Sequence, residues 1–384
     1  MVDLELSVDE RLIQETARRL AEAEIRPRAA AADREETFPA IQVGALAREG
    51  FMAMLVPADY GGAEVGAVAY SLAITEVARC CASTAVTMAV TNMVGDAIAT
   101  FGTEAQRRSY LPRLASGEMV AGSFALSEPD AGSDAGAVTT RAVKEDGRYR
   151  LNGNKCWITS GDRAGVFLVF AKTDPNPSAR TRGISAFLVE PGQAGVVVGP
   201  REEKLGLRAS GTVSLSLEDV DVPESARLGA EGEGFKIAMR ALDGGRIGVG
   251  SQAIGIGLAS LEASRTYAME RHQFGRAISE FQAIQWKVAD MALELDAARL
   301  LVLRAASMKD RGVPFTKEAS MAKLFATESA NRAAAQAIQI HGGYGFTRSF
   351  DVERQFRDVR VTTIYEGTSE IQRIVIARAV LGGA

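Results

Sequence analysis

The spacing of apolar positions divides the chain into three stretches with different periods. Up to about residue 120 the period is helical. Ser7 and Glu10 have the S-x-x-E spacing of a capping box, and Leu12, Ile13, Ala17 and Leu20 follow on one face. Pro27 is expected to end or interrupt that helix, since it lacks an N–H and its ring crowds the preceding turn. Asp59-Tyr60-Gly61-Gly62 reads as a turn, and helical periodicity resumes over 68–101 and 104–114. Near Gly122 the texture changes to short alternating runs rich in Val, Thr and Gly. Residues 167–170, 185–189, 196–198 and 213–217 read as strands, with Asp146-Gly147 and Asn152-Gly153 as turn signals. No helix-length pattern separates these strands, so βαβ units are not expected. From Gly232 the helical period returns and holds over 248–270, 283–308, 317–340 and 369–381. Long Ala-rich helices of this kind pack as bundles. The pattern predicts an α+β chain: an N-terminal helical domain over 1–121, a compact β domain over 122–228 and a C-terminal four-helix bundle over 229–384.

The 384 residues suffice for two or three domains with a large core. A net charge of −4 leaves no basic footprint for nucleic acid or an anionic membrane. Residues 82–101 are apolar, but threonines, Asn92 and Asp96 interrupt them, so they read as a buried helix rather than a membrane span. The first residues are acidic and lack the apolar core of a signal peptide. Cys80, Cys81 and Cys156 offer neither metal spacing nor a disulfide framework, which points to a reducing, cytoplasmic setting. Two histidines, His272 and His341, are too few for most histidine-based or zinc chemistry, so an acid–base enzyme would use a carboxylate.

The segment IYEGTSEIQR (364–373) supplies a candidate. Ser369 and Gln372 have capping-box spacing, which puts a helix start there and Glu366 on the loop before it. Gly367 permits a left-handed backbone or a close approach. Ile364 and Tyr365 can desolvate the Glu366 carboxylate and raise its pKa toward that of a general base. A solvated loop glutamate is the ordinary alternative. Gly255-Ile256-Gly257 suggests a dinucleotide fingerprint, but no strand precedes it. Helix packing accounts for it better. FALSEPDAGSD (124–134) is a Gly/Ser turn whose amides and hydroxyls suit a polar ring edge or phosphate. In KCWITS (155–160) a tryptophan on a strand would ordinarily be core. Arg271 and Arg276 in RHQFGRAISEFQ (271–282) could bind phosphate or simply solvate a helix surface.

Taken together, 364–373, 124–133, 155–160, DGGR (243–246), 271–282 and 339–346 resemble the acyl-CoA dehydrogenases, a family of FAD flavoenzymes, in that family's order and over nearly the whole chain. The resemblance implies the same three-part fold. It implies that Glu366 removes the pro-R α-proton of an acyl-CoA thioester while the β-hydrogen leaves as hydride to flavin N5, giving the trans-2-enoyl-CoA. It assigns to FAD the residues Phe124, Leu126, Ser127, Ser133, Trp157, Ile158, Thr159, Arg271, Gln273, Phe274, Gln282, Gln339, Gly342, Gly343, Thr368 and Glu370. Within that set Trp157 would screen one ring face and Thr159 would donate to the reactive edge. The substrate would meet Ser133, Asp243, Arg246, Tyr365 and Gly367, and the enolate oxygen would be held by the Glu366 backbone N–H and the FAD ribityl 2′-hydroxyl. Residues 339–343 would reach the FAD of a neighbouring subunit, implying at least a dimer and commonly a dimer of dimers, and an electron-transferring flavoprotein would take the electrons. Some relatives carry the base at the position of Gly245, which here cannot do acid–base work. Those with Asp in place of Glu366 act on nitroalkanes. Glutaryl-CoA-specific relatives place a basic residue near the acyl tail, and Thr91-Asn92-Met93 offers none. The expected substrate is a short or branched acyl chain. A flavin oxidase or monooxygenase on the same scaffold, and a catalytically silent acyl-CoA-binding protein, are the alternatives.

Overall fold

A computed structural model describes residues 5–382, so the two extreme ends of the chain, including part of the acidic N-terminal stretch, lie outside the described residues. Six helices come first: α1 (Val8–Leu20), α2 (Arg26–Arg34), α3 (Ala40–Arg48), α4 (Gly66–Cys80), α5 (Ala82–Phe101) and α6 (Glu104–Ala115). The Ser7–Glu10 capping box forms in both directions. Pro27 does not stop the helical path. The chain makes one wide turn over Ala21–Ile25, and Pro27 then falls in the first turn of α2, where its missing N–H has no helical partner to lose. Helix α5 is buried along most of its length, and no described helix is long and apolar enough to cross a membrane.

Eight strands follow: β1 (Ala121–Ala125), β2 (Arg141–Glu145), β3 (Arg148–Thr159), β4 (Ala164–Lys172), β5 (Ile184–Val189), β6 (Val196–Arg201), β7 (Thr212–Pro223) and β8 (Arg227–Leu228). They pair in the order β6-β7-β3-β2-β4-β5-β8, with β1 added to β4. Inward-facing residues from most strands, among them Tyr149, Leu151, Phe167, Phe187, Val213 and Val222, converge on one cluster, as in a barrel. The ladder itself ends at β6 and β8. On β4, Phe167 and Val169 face that cluster while Val166, Leu168 and Phe170 face a second one shared with the helices. Burial on both sides explains its uninterrupted apolar run. β1 and β4 are parallel without a helical crossover, because the β2–β3 hairpin lies between them in the chain. Asp146-Gly147 makes that hairpin turn, both residues left-handed. Asn152-Gly153, expected to turn, instead marks a register shift inside β3, where a Cβ on Gly153 would come within 2.7 Å of the Thr140 backbone.

The C-terminal region holds α7 (Gly234–Glu270), a two-strand ribbon of β9 (His272–Gln273) and β10 (Arg276–Ala277), α8 (Gln282–Asp310), α9 (Thr316–His341), α10 (Val352–Val359) and α11 (Ser369–Val380). Helix α7 begins fourteen residues before its apolar period is evident, because its first turns run along the sheet rather than inside the bundle. The Gly255/Gly257 pair is a packing device. A Cβ on Gly255 would overlap the Thr75 carbonyl and approach Ala78 Cβ to 2.6 Å, and one on Gly257 would strike Leu295.

Candidate active site

Helices α4, α5, α7 and α9 and one left-handed turn build the site. After α10 a short turn over Arg360–Thr363 leads to Glu366 and Gly367, with φ of +52° and +90°. Two successive left-handed residues turn the chain sharply, and the second has to be Gly to do so cheaply. α11 starts immediately afterwards. Its cap is Thr368, whose hydroxyl accepts the Ile371 N–H, and not the expected Ser369, which lies inside the helix and donates to Glu328. Gln372 also departs from the capping role and donates to the carbonyls of Gly367 (2.8 Å) and Glu366 (3.2 Å) from inside the turn.

The turn presents the Glu366 carboxylate to α7. Its Oε2 is fully buried and accepts no hydrogen bond. A Cβ on Gly245 would overlap that oxygen, lying 2.9 Å from Glu366 Cδ and 3.0 Å from Met93 Sδ of α5. Burial pushes the Glu366 carboxyl up to about 7, and the positive charges of Lys323 and Arg246 restrain the rise. Tyr365 is anchored by its hydroxyl, which donates to Gln252 Oε1. Arg246 is 4 % exposed and paired with Asp243 at 2.5 Å, and Asp243 accepts a further bond from Thr316 at 2.6 Å. Asp243 and Arg246 of the DGGR segment are thus buried and paired with each other, while Arg246 Nε is left without a hydrogen-bond partner. Arg246 acts on the Glu366 carboxyl by its field, and Asp243 lies well inside α7.

The β-domain segments are locked to one another. Lys155, sealed from solvent, donates to Glu128 (2.8 Å), to the Leu126 carbonyl (3.3 Å) and to the Phe170 carbonyl (2.6 Å). Glu128 also accepts the N–H and hydroxyl of both Thr139 and Thr140. The Cys156 N–H donates to the Ser127 carbonyl, and the Ser123 hydroxyl to the Thr159 carbonyl. Trp157 sits at a bulge in β3 with φ of +60° and is 64 % exposed, contrary to the usual core tryptophan. Its neighbour Ile158 is turned into the β-domain core, so only its backbone is available to a ligand. Phe124 and Leu126 share an apolar cluster with Met93 and Tyr365, which brings this segment to the Glu366 side of the molecule. Ser133 is exposed on its loop.

A second group forms elsewhere. Arg271, Gln273, Gly342 and Gly343 line a cleft of about 460 Å³ with Tyr344, whose ring lies 5.9 Å from the Arg271 guanidinium. No atom would meet a Cβ on Gly342 or Gly343, so the cleft floor is open there. Phe274, Gln282 and Gln339 are exposed, Phe274 almost completely. Glu370 is exposed at the first turn of α11.

FAD needs a flat apolar surface with polar groups at its edge, and cationic donors for its diphosphate. The exposed Trp157, the hydroxyls of Ser127 and Thr159, and the Arg271 cleft supply these, so the residues present fit the cofactor. Sequence reasoning missed Lys323 and Tyr70, and it named Gln372 only as a cap and Met93 only as a non-basic residue near the acyl tail. Lys323 had a signal, because it interrupts the buried seam of Ala319, Ala326, Ala330, Ala333 and Ala337 at that seam's own spacing.

Family models for the N-terminal, middle and C-terminal domains of acyl-CoA dehydrogenase match residues 7–118, 123–220 and 232–381. The mitochondrial short-chain specific acyl-CoA dehydrogenase of Bos taurus is 48 % identical over 375 residues, 97 % of this chain and 90 % of that one. Among solved structures, butyryl-CoA dehydrogenase from Megasphaera elsdenii superposes with a TM-score of 0.96 at 39 % identity, covering 99 % of this chain and all of the other. A chain from a structure of the electron transferring flavoprotein of Acidaminococcus fermentans gives a TM-score of 0.97 at 42 % identity over 99 % of this chain and all of that one. The flavin-type surface, the buried carboxylate and these likenesses agree: the chain belongs to the acyl-CoA dehydrogenase family.

Proposed function

We propose that this protein is an FAD-dependent acyl-CoA dehydrogenase that uses Glu366 to remove the α-proton of a short or branched acyl-CoA. The observation that carries this is the buried, hydrogen-bond-free Oε2 of Glu366, held on a left-handed turn against Gly245. A carboxylate with no partner and a pKa raised to about 7 is poised to take a proton at neutral pH. Bound FAD would accept the β-hydrogen as hydride. Trp157, Thr159, Ser127, Phe124 and Leu126 would hold its ring, Arg271, Gln273 and Gln282 would contact FAD, and Gln339, Gly342 and Gly343 would reach the FAD of a neighbouring subunit. The chain's other contribution is exclusion of water, through Met93, Tyr365 and the α7 glycines around the base.

A short acyl chain is supported by what fills the space beside α7. A Cβ on Gly248, one turn beyond Gly245, would come within 2.6 Å of the Tyr70 hydroxyl and 3.6 Å of Ala89. With Met93 at Gly245, these side chains pack closely against α7 beside Glu366, which would suit a short acyl chain. A homotetramer built as a dimer of dimers is supported by the exposed Phe274, Phe346 and Tyr344 around the Arg271 cleft, which a second copy would cover. The likeness to the A. fermentans chain supports an electron-transferring flavoprotein as acceptor. Roles in β-oxidation or amino-acid catabolism accord with such a substrate, and the free cysteines accord with the cytoplasm. The test is anaerobic bleaching of the flavin in the yellow, FAD-loaded protein by a panel from C4 to C16 plus isobutyryl-, 2-methylbutyryl- and isovaleryl-CoA. Rapid bleaching by a short or branched member is expected. A protein that stays colourless after reconstitution with FAD, or that no acyl-CoA bleaches, overturns the proposal.

A further inference from the structure

Lys323 lies on α9 within an apolar seam, is fully buried, and uses its ammonium on the carbonyl of Gly367 at 2.9 Å. It makes no ion pair with Glu366, whose Oε2 is left without a hydrogen bond. A buried lysine is costly, and nothing in the packing of an Ala-rich seam calls for one.

We propose that Lys323 is the positioning residue of the general base: it clamps the Glu366–Gly367 turn through the Gly367 carbonyl and supplies, without touching the carboxylate, the positive charge that lets Glu366 ionise inside the protein. This rests on Glu366 being the base. A direct salt bridge would occupy the lone pair that must receive the substrate proton. A charge placed on the adjacent carbonyl stabilises the anion and leaves that lone pair free. The groups facing Glu366 come from each surrounding element: Lys323 from α9, Arg246 from α7, the Tyr70 hydroxyl from α4 and the neighbouring Tyr365. Arg246 already shares its charge with Asp243 at 2.5 Å, whereas Lys323 has only a neutral carbonyl as its hydrogen-bond partner. Lys323 is itself drawn down to about 8 by burial, with Glu366, Glu328 and Glu370 opposing the fall and Arg246 adding to it. The clamp is therefore charged at neutral pH and loses that charge on the alkaline side.

The experiment is the pH profile of anaerobic flavin reduction in the FAD-loaded enzyme for wild type, Lys323→Met and Glu366→Gln, with a matched acyl-CoA. Methionine keeps the stem and removes the charge. A unit charge several Å away in a partly buried site shifts a carboxylate by roughly one to two pH units. The Lys323→Met midpoint should move up by that amount, with reduction at least about tenfold slower at pH 6.5 and acyl-CoA affinity within about twofold of wild type. Lys323→Gln, which keeps a donor without the charge, makes the same test should the methionine variant not fold. Thermal melts supply a second readout: the stability gained by Glu366→Gln at pH 8 should be larger in the Lys323→Met background. An unmoved midpoint, with or without a uniform loss of rate, overturns the role of Lys323. If Glu366→Gln reduces flavin at the wild-type rate, it is the identity of the base that is wrong.

Discussion

Moving the base from one backbone anchor to another tests the geometry of the site most severely. Glu366→Gly removes the proposed general base and should slow flavin reduction by about 10²- to 10⁴-fold. Adding Gly245→Glu to that variant puts a carboxylate back from the α7 side. A Cβ at 245 would lie 2.9 Å from the position of Glu366 Cδ. A glutamate's own carboxyl carbon sits two bonds, roughly 2.5 Å, from its Cβ. The new carboxylate can therefore come close to the old one without coinciding with it. A displacement of about 1 Å can cost about 10²-fold, so recovery should be partial, about tenfold to a hundredfold above Glu366→Gly. Helix α7 tolerates the change, since Gly is the poorer helix former by up to about 1 kcal/mol, and the space is that vacated by the Glu366 side chain. Only Met93, at 3.0 Å, has to yield. Gly245→Glu alone should behave oppositely. It overlaps the existing carboxylate and sets two like charges in one small volume, so it should lower activity. The assay is anaerobic stopped-flow bleaching of the flavin for the three variants. A double variant that binds FAD and acyl-CoA normally, yet is no faster than Glu366→Gly, would refute the placement of the reacting carbon between α7 and the turn.

Further outcomes follow from the same site. Glu366→Gln should retain FAD and acyl-CoA binding while losing about 10²- to 10⁴-fold in single-turnover reduction, and unchanged reduction would assign the proton to another group. In wild type kcat/KM should rise with pH and level off above about 7, because the base must be ionised and burial has raised its pKa to that value; a flat profile between pH 6 and 8 would contradict it. The same shift bears on stability. A folded carboxyl at about 7 against 4.5 when unfolded adds stability that is complete below 4.5 and is lost as pH rises through 7, a difference of up to about 3 kcal/mol. Glu366→Gln should accordingly melt higher than wild type at pH 8, with the gap closing toward pH 4.5. Gly255→Ala should destabilise by about 1–3 kcal/mol through its collision with Thr75 and Ala78, seen as a lower midpoint in urea with FAD binding intact.

Much of this molecule was legible along the chain, and the reason is local. The helical period at 283–308 and 317–340, the β texture from Gly122 and the Ser7–Glu10 cap depend on neighbours within a few residues, and each forms where expected. Motif order carried the family and pointed to Glu366 and Trp157. Local rules failed where distant segments compete for the same atoms. Ser369 has capping spacing, yet Glu328 takes its hydroxyl and Thr368 caps instead. Asn152-Gly153 has turn chemistry, yet pairing with β7 absorbs it as a bulge. The environment of the base was also beyond the sequence. Gly245, Met93 and Lys323 lie on three helices, and only their packing sets Gly245 and Met93 against the carboxylate and the Lys323 charge against its turn. The sequence by itself determined that a carboxylate would stand at 366 on a loop just before a helix, beside a glycine. Tertiary structure decided that its Oε2 would be sealed and unpartnered and how far its pKa would rise, because the desolvation by α7 and α5 and the fields of Lys323 and Arg246 exist only once the helices have closed around it.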